Sequence, residues 1–182
     1  MDKKYSIIRQ TTRDLEGYIE LGLKNQPCVL YGTHSEPFVF ICKEELCDYD
    51  YIKSNGILHK TLQNASGSTI VCSKGDVALG FFGSFEFCKE MLKIMEHEFS
   101  KAINGGKIIS NDFVYDCKKY GAMTEICFGD VYYLGIHISN SIDEDLIKNI
   151  CKKQTIKVPS ALPTPITEQD IERVFTSYME GL

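Results

Sequence analysis

The chain has 182 residues, 43% of them hydrophobic and 25% charged, which is enough to bury a core without staples, and it reads as a single domain over residues 1–182. A net charge of −5 with no basic run argues against a nucleic-acid footprint, and no apolar window is long enough for a membrane span or reads as a signal peptide. The eight cysteines include no CxxC pair, so they read as free, mostly buried thiols in a reduced, cytoplasmic setting rather than as zinc knuckles.

In chain order, residues 12–24 read as a helix that Thr12 caps and Pro27 stops, with Leu15, Tyr18, Ile19, Leu21 and Leu23 on its apolar face. Cys28–Gly32 and Phe38–Cys42 follow as buried strands around a polar turn that contains His34. Glu44–Ser54 reads as a short helix ended by Asn55-Gly56. Three short strands are expected at Ile57–Leu62, Ser68–Cys72 and Val77–Phe82, the first two joined by the small residues Ala65-Ser66-Gly67-Ser68-Thr69. Those small side chains leave backbone N–H groups open to an anion or a carbonyl, although the same residues suit a plain hairpin turn.

The clearest helix begins at Ser84, carries Phe87, Met91, Leu92, Met95, Phe99 and Ile103 at helical spacing, and closes at Asn104-Gly105-Gly106. Its Met and Phe stripe reads as core, and His97 as a solvated side chain. Asn111–Glu125 then reads as strand, polar reversal at Asp116-Cys117-Lys118, and strand, with Lys119 entering the outgoing strand two residues before Gly121. A glycine there lets another backbone or a ligand approach closely, and a lysine held beside it presents a fixed positive charge. Val131–Ser139 alternates as a central strand, Asp143–Lys152 reads as a helix with an acidic first turn, and Pro159–Pro165 as a non-helical connection. Thr167-Glu168-Gln169-Asp170 matches a capping box ahead of Ile171, Val174, Phe175 and Met179. The fold class predicted is α+β, a mixed sheet with its helices gathered on one side.

Several of these pieces, in this order, resemble the catalytic domain of the biotin and lipoate protein ligase superfamily, which shares its architecture with class II aminoacyl-tRNA synthetases. Asn111-Asp112 followed by Lys118-Lys119-Tyr120-Gly121 is similar to the family pattern in which Asn-Asp leads to a Lys-x-Gly site. Leu134-Gly135-Ile136-His137-Ile138 is similar to the Gly-Ile-x-Ile strand of biotin ligases, as is Thr124-Glu125 to their version of the lysine site. Gln26-Pro27-Cys28-Val29-Leu30-Tyr31-Gly32 and Ala65-Ser66-Gly67 resemble segments of lipoate ligases instead. The likeness spans roughly residues 12–180, and the shared order carries it more than any single motif.

The resemblance implies ATP-dependent formation of an acyl-adenylate from lipoate, octanoate or a related acid, and transfer to a lysine of a lipoyl or biotinyl carrier domain. Lys119 would stabilise charge on the carboxylate and α-phosphate. Asn111 and Asp112 would orient the nucleotide, with Asp112 on a magnesium ion. Ser66, Gly67 and Ser68, with Gly121, Gly135 and His137, would line the substrate channel. The chain departs from lipoate ligases in having Gln63-Asn64 where they carry paired arginines, and Ser68-Thr69 in place of two glycines.

Three readings follow. The first is a lipoate–protein ligase-like enzyme. The second is an octanoyl or lipoyl transferase that needs no ATP and pairs Lys119 with a nucleophilic Cys151, although that cysteine lies in Ile150-Cys151-Lys152 rather than a Pro-Cys-Gly context and reads equally as an inert buried thiol. The third is a non-catalytic relative that binds a ligand or protein through a degenerate nucleotide site.

Overall fold

A computed structural model describes residues 5–10, 15–41, 43–61, 69–152 and 158–181. Strands are β1 (Ser6–Arg9), β2 (Cys28–Thr33), β3 (Phe38–Ile41), β4 (Leu58–Thr61), β5 (Ile70–Cys72), β6 (Val77–Gly83), β7 (Lys107–Ile109), β8 (Asp112–Tyr115), β9 (Lys118–Phe128), β10 (Val131–Ile138) and β11 (Val158–Pro159). Helices are α1 (Leu15–Lys24), α2 (Tyr49–Ser54), α3 (Phe85–Ala102), α4 (Glu144–Ile150) and α5 (Glu168–Glu180), with one 3-10 turn at Glu44–Leu46. No helix among the described residues is long and apolar enough to cross a membrane.

The main sheet runs β1-β2-β6-β10-β9-β8-β7, with β11 added beside the start of β9, and a second sheet runs β4-β3-β5. All seven residues of β6 are buried, as are the first five of β2, so these central strands have apolar neighbours on both faces. On one face Val29, Tyr31, Leu79, Phe81, Leu134 and Ile136 meet Met91, Met95 and Phe99 of α3 and Ile171 and Phe175 of α5. On the other, Cys28, Leu30, Phe82 and Tyr133 meet Tyr18 of α1 and Phe38, Ile70 and Cys72 of the small sheet. The small sheet's far face, through Val39 and Ile41, packs on Ile52 of α2 and Ile150 of α4.

The α+β mixed sheet is as expected, but the helices are not gathered on one side. A strand such as Val77-Ala78-Leu79-Gly80-Phe81-Phe82-Gly83 has apolar or small residues at both parities and requires cover on both faces. The strands β1, β7 and β11 were not anticipated. Each is four residues or fewer and forms because a longer neighbour offers an edge to pair with, not because of its own pattern.

Local signals were followed where side chains cap backbone. Ser84 accepts from the Phe87 N–H to start α3, and Asp143 from the Leu146 N–H to start α4. At α5, Thr167 accepts from the Asp170 N–H while the Asp170 carboxylate accepts from the Thr167 N–H, the reciprocal box expected. Thr167→Ala is therefore expected to cost about 1 kcal/mol, read as a lower urea midpoint at unchanged slope. Thr12, expected to cap α1, lies outside the described residues.

Candidate functional site at the Lys119 bulge

Two tight hairpins build the site. Ser110 and Asn111 connect β7 to β8 with φ of 47° and 67°, and Asp116 and Cys117 connect β8 to β9 with φ of 46° and 60°. Paired positive φ values mark two-residue loops whose twist matches that of the strands they join, and Asn and Asp tolerate that region well. The reversal is thus Asp116-Cys117 alone, and Lys118 already belongs to the strand. Asn111, expected at the nucleotide, holds a turn, and its carbonyl accepts from the Met123 N–H at 2.8 Å.

A bulge then decides where Lys119 points. Asp112 pairs with Ala122 and Phe113 with Gly121, but Val114 pairs with Lys119, so Tyr120 is an extra residue in β9. Side chains alternate faces along a strand, and Ala122 packs on the small-sheet side. Without the extra residue Lys119 would lie on the opposite, α3 side. With it, Tyr120 turns to the α3 core beside Phe99, and Lys119 emerges on the face of Asp112 and Ala122. Its Nζ lies 2.9 Å from Asp112 Oδ1, with the two side chains only 18% and 22% exposed. The backbone is held as well: the Lys119 carbonyl accepts from Ser160 and the Tyr120 carbonyl from Ser139.

The floor beside this pair is made of small residues in register across four strands. One row is Leu30, Gly80, Gly135 and Thr124, and the next is Gly32, Ala78, His137 and Ala122, extended by Asp112. Missing side chains leave room that the rings of Tyr18 and Tyr133 enter. A Cβ on Gly80 would lie 2.8 Å from the Tyr18 hydroxyl, and one on Gly135 would lie 2.4 Å from that of Tyr133. A cavity of about 20 Å³ remains, bordered by Phe40, Ile70, Thr124, Gly135 and His137 among others. That is room for a water molecule, so an acyl chain would enter only by displacing these rings.

Gly121, expected to line the substrate channel, lies where β9 and β10 meet closely. A Cβ there would fall 2.4 Å from the His137 carbonyl oxygen, so the glycine lets β9 and β10 approach. Ser66, Gly67 and Ser68, with Gln63 and Asn64, lie outside the described residues.

Deeper on the same face, His137 meets a buried aspartate that the sequence did not single out. Asp76, 1% exposed, accepts from the N–H groups of Ser73, Asn140 and Ser141 at 2.7 to 2.9 Å, tying the β5–β6 turn to the segment after β10. Burial raises its carboxyl to about 6 against the lowering effect of those donors. Its Oδ2 is 3.3 Å from His137 Nε2, which also lies 3.2 Å from Ser139 Oγ. Burial holds His137 well below the usual imidazole range, with His34 and Lys119 adding to the effect. The His34 ring, 6.1 Å from that of His137, is lowered by burial to about 4. No local signal in Lys74-Gly75-Asp76 separates a buried aspartate from a turn aspartate.

Cys151 follows α4 and bridges Cys47 through a single backbone pair. It is partly buried, and burial raises its thiol, opposed by the nearby charge of Lys119. Lys119 therefore lies within electrostatic reach of Asp112, His137 and Cys151 together.

The fold recurs in known structures. P. falciparum LipL1 in complex with lipoate superposes with a TM-score of 0.72 at 14% identity, covering 97% of this chain and 61% of that one. This is the fold of the biotin and lipoate protein ligase superfamily. A bipartite lipoate protein ligase from Thermoplasma acidophilum, described with its E2 lipoyl domain, matches at 0.68 and 14% identity over 98% of this chain and 84% of that one. Lipoate-protein ligase A bound with ATP matches at 0.68 and 14% identity over 98% and 86%. A biotin acetyl coenzyme A carboxylase synthetase from Helicobacter pylori is more distant, at 0.51 and 12% over 98% and 75%. No family model and no curated protein matches the sequence. The fold of these lipoate ligases is thus carried by a sequence only 14% identical to theirs.

Proposed function

We propose that the chain is a lipoate–protein ligase-like enzyme acting on lipoate or a related medium-chain acid, with Lys119 as its central residue. The observation that carries this reading is the Tyr120 bulge, which turns Lys119 onto the small-residue floor and pairs it with Asp112. The acyl chain would lie along Gly135, Ala78 and Thr124 with its carboxylate at the Lys119 ammonium. Attack of that carboxylate on the α-phosphorus of ATP would release pyrophosphate, and a carrier-domain lysine would then displace AMP from the acyl-adenylate. Lys119, already oriented by Asp112, would meet the negative charge shared by carboxyl and phosphate without reorganising.

The donor set fits one anionic group better than a triphosphate. The sequence holds three arginines, Arg9, Arg13 and Arg173, and the two described ones pair with Glu168 and Asp170. Asp112 offers one carboxylate, already on Lys119. Magnesium, which keeps several waters and takes few protein ligands, would reach the site with phosphates rather than in a cage of side chains.

A second reading uses Cys151, whose thiol is raised by burial and only partly brought down by the charge of Lys119. In it Cys151 takes the acyl group as a thioester and passes it on without ATP. Mixing the protein with ATP and lipoate or octanoate separates the two. Pyrophosphate exchange that depends on the acid is expected for the ligase. A mass increase of one acyl group on Cys151 from an acyl-carrier donor, without exchange, would replace it with the transferase. Neither signal, with a thermal shift from the acid alone, would leave a binding protein.

A further inference from the structure

We propose that His34, Cys72 and His137 form a binding site for a zinc-class divalent metal ion. His34 directly follows β2, Cys72 ends β5 and His137 is the penultimate residue of β10, and nothing in their sequence spacing links them. Their donor atoms all lie within 4.8 Å of one another, and all three side chains are buried. They are the one group of three or more such residues brought this close among the described residues.

The chemistry of the donors suits the ion. Two imidazoles have lone pairs to give, and a thiol becomes a thiolate when a metal takes its proton's place. The Nδ1 of His137 is buried without a hydrogen-bond partner, whereas its Nε2 faces Asp76 and Ser139. A buried ring nitrogen without a partner is costly, and a metal at Nδ1 would satisfy it. The carboxylate at the other nitrogen is the usual means of fixing such a ligand's tautomer, and Asp76 is itself held by three backbone donors. Two negative charges, one on Cys72 and one on Asp76, would balance the ion in a site shielded from water. Three protein ligands leave a fourth position open to water or a small ligand. The ion would also clip the small sheet, through Cys72, to the main sheet, through His137.

The test uses the full chain, stripped with chelator under reducing conditions and titrated with zinc against a chromophoric chelator. One equivalent is expected to bind, and cobalt is expected to give a thiolate-to-metal charge-transfer band. Cys72→Ser should abolish the band and weaken zinc at least about tenfold. His137→Gln should weaken zinc similarly, and both variants should unfold cooperatively in chelator. A Cys117→Ser/Cys127→Ser double variant, lacking two exposed thiols, should bind as the parent does. Zinc binding that survives Cys72→Ser and His137→Gln, that is lost in the double variant, or that is absent altogether would overturn the proposal.

Discussion

Lys119→Ala is expected to lower acyl transfer by roughly 10²–10³-fold, the effect of removing one preorganised charge from a developing anion. The fold should survive, since leaving the mostly buried Asp112 carboxylate without its ammonium should cost about 2 kcal/mol and not the whole of a domain's stability. Lys119→Arg should not restore activity. A planar fork would grip the Asp112 carboxylate through two nitrogens, and its charge would sit elsewhere than the ammonium's. Asp112→Asn should leave a milder defect, since the ammonium stays but is no longer held. Full transfer activity in Lys119→Ala, with unchanged acid binding, would remove Lys119 from the mechanism. Loss of activity with a collapsed thermal transition would instead mark it as structural.

The second large effect is on stability. Gly121→Ala places a methyl group 2.4 Å from the backbone oxygen of His137, where no side chain can swing aside. The pairing of Gly121 with Ile138 must open at the middle of the sheet, next to the bulge that sets Lys119. A loss of about 3 kcal/mol is expected, at the upper end of ordinary overpacking. Gly135→Ala is the informative contrast. Its new methyl meets the hydroxyl end of Tyr133, a ring that can turn, so its cost should stay below about 1.5 kcal/mol. Urea unfolding of the two variants in parallel decides the matter, and equal midpoints would refute the distinction between backbone and side-chain obstruction.

The β8–β9 hairpin, the helices α3 and α5 and the central strand β10 were legible because each depends on neighbours a few residues away. Ser84 caps α3, Thr167 and Asp170 box α5, and the repeat of Phe87, Met91, Met95 and Phe99 marks a buried helix face. The order of motifs around Lys119 likewise pointed to the superfamily fold that the superpositions show. The short strands β1 and β11 were not legible, since a two- or four-residue strand is defined by its partner.

The candidate site divides along the same line. That Lys119 follows an Asn-Asp strand, and that glycines lie near it, is determined by sequence. Which face Lys119 occupies is not, because a one-residue bulge reverses every side chain before it, and Tyr120 becomes the extra residue only when β8 pairs with β9. The roles of the glycines also needed tertiary structure. Gly121 admits a neighbouring strand, whereas Gly135 and Gly80 leave room that tyrosines fill. His34, Cys72, Asp76 and His137 meet because β2, β5, β6 and β10, distant in the chain, close over one another. Local preferences specify the elements. Only their packing brings together groups separated by a hundred residues, since such contacts are set by which faces must be buried and not by any short run of residues.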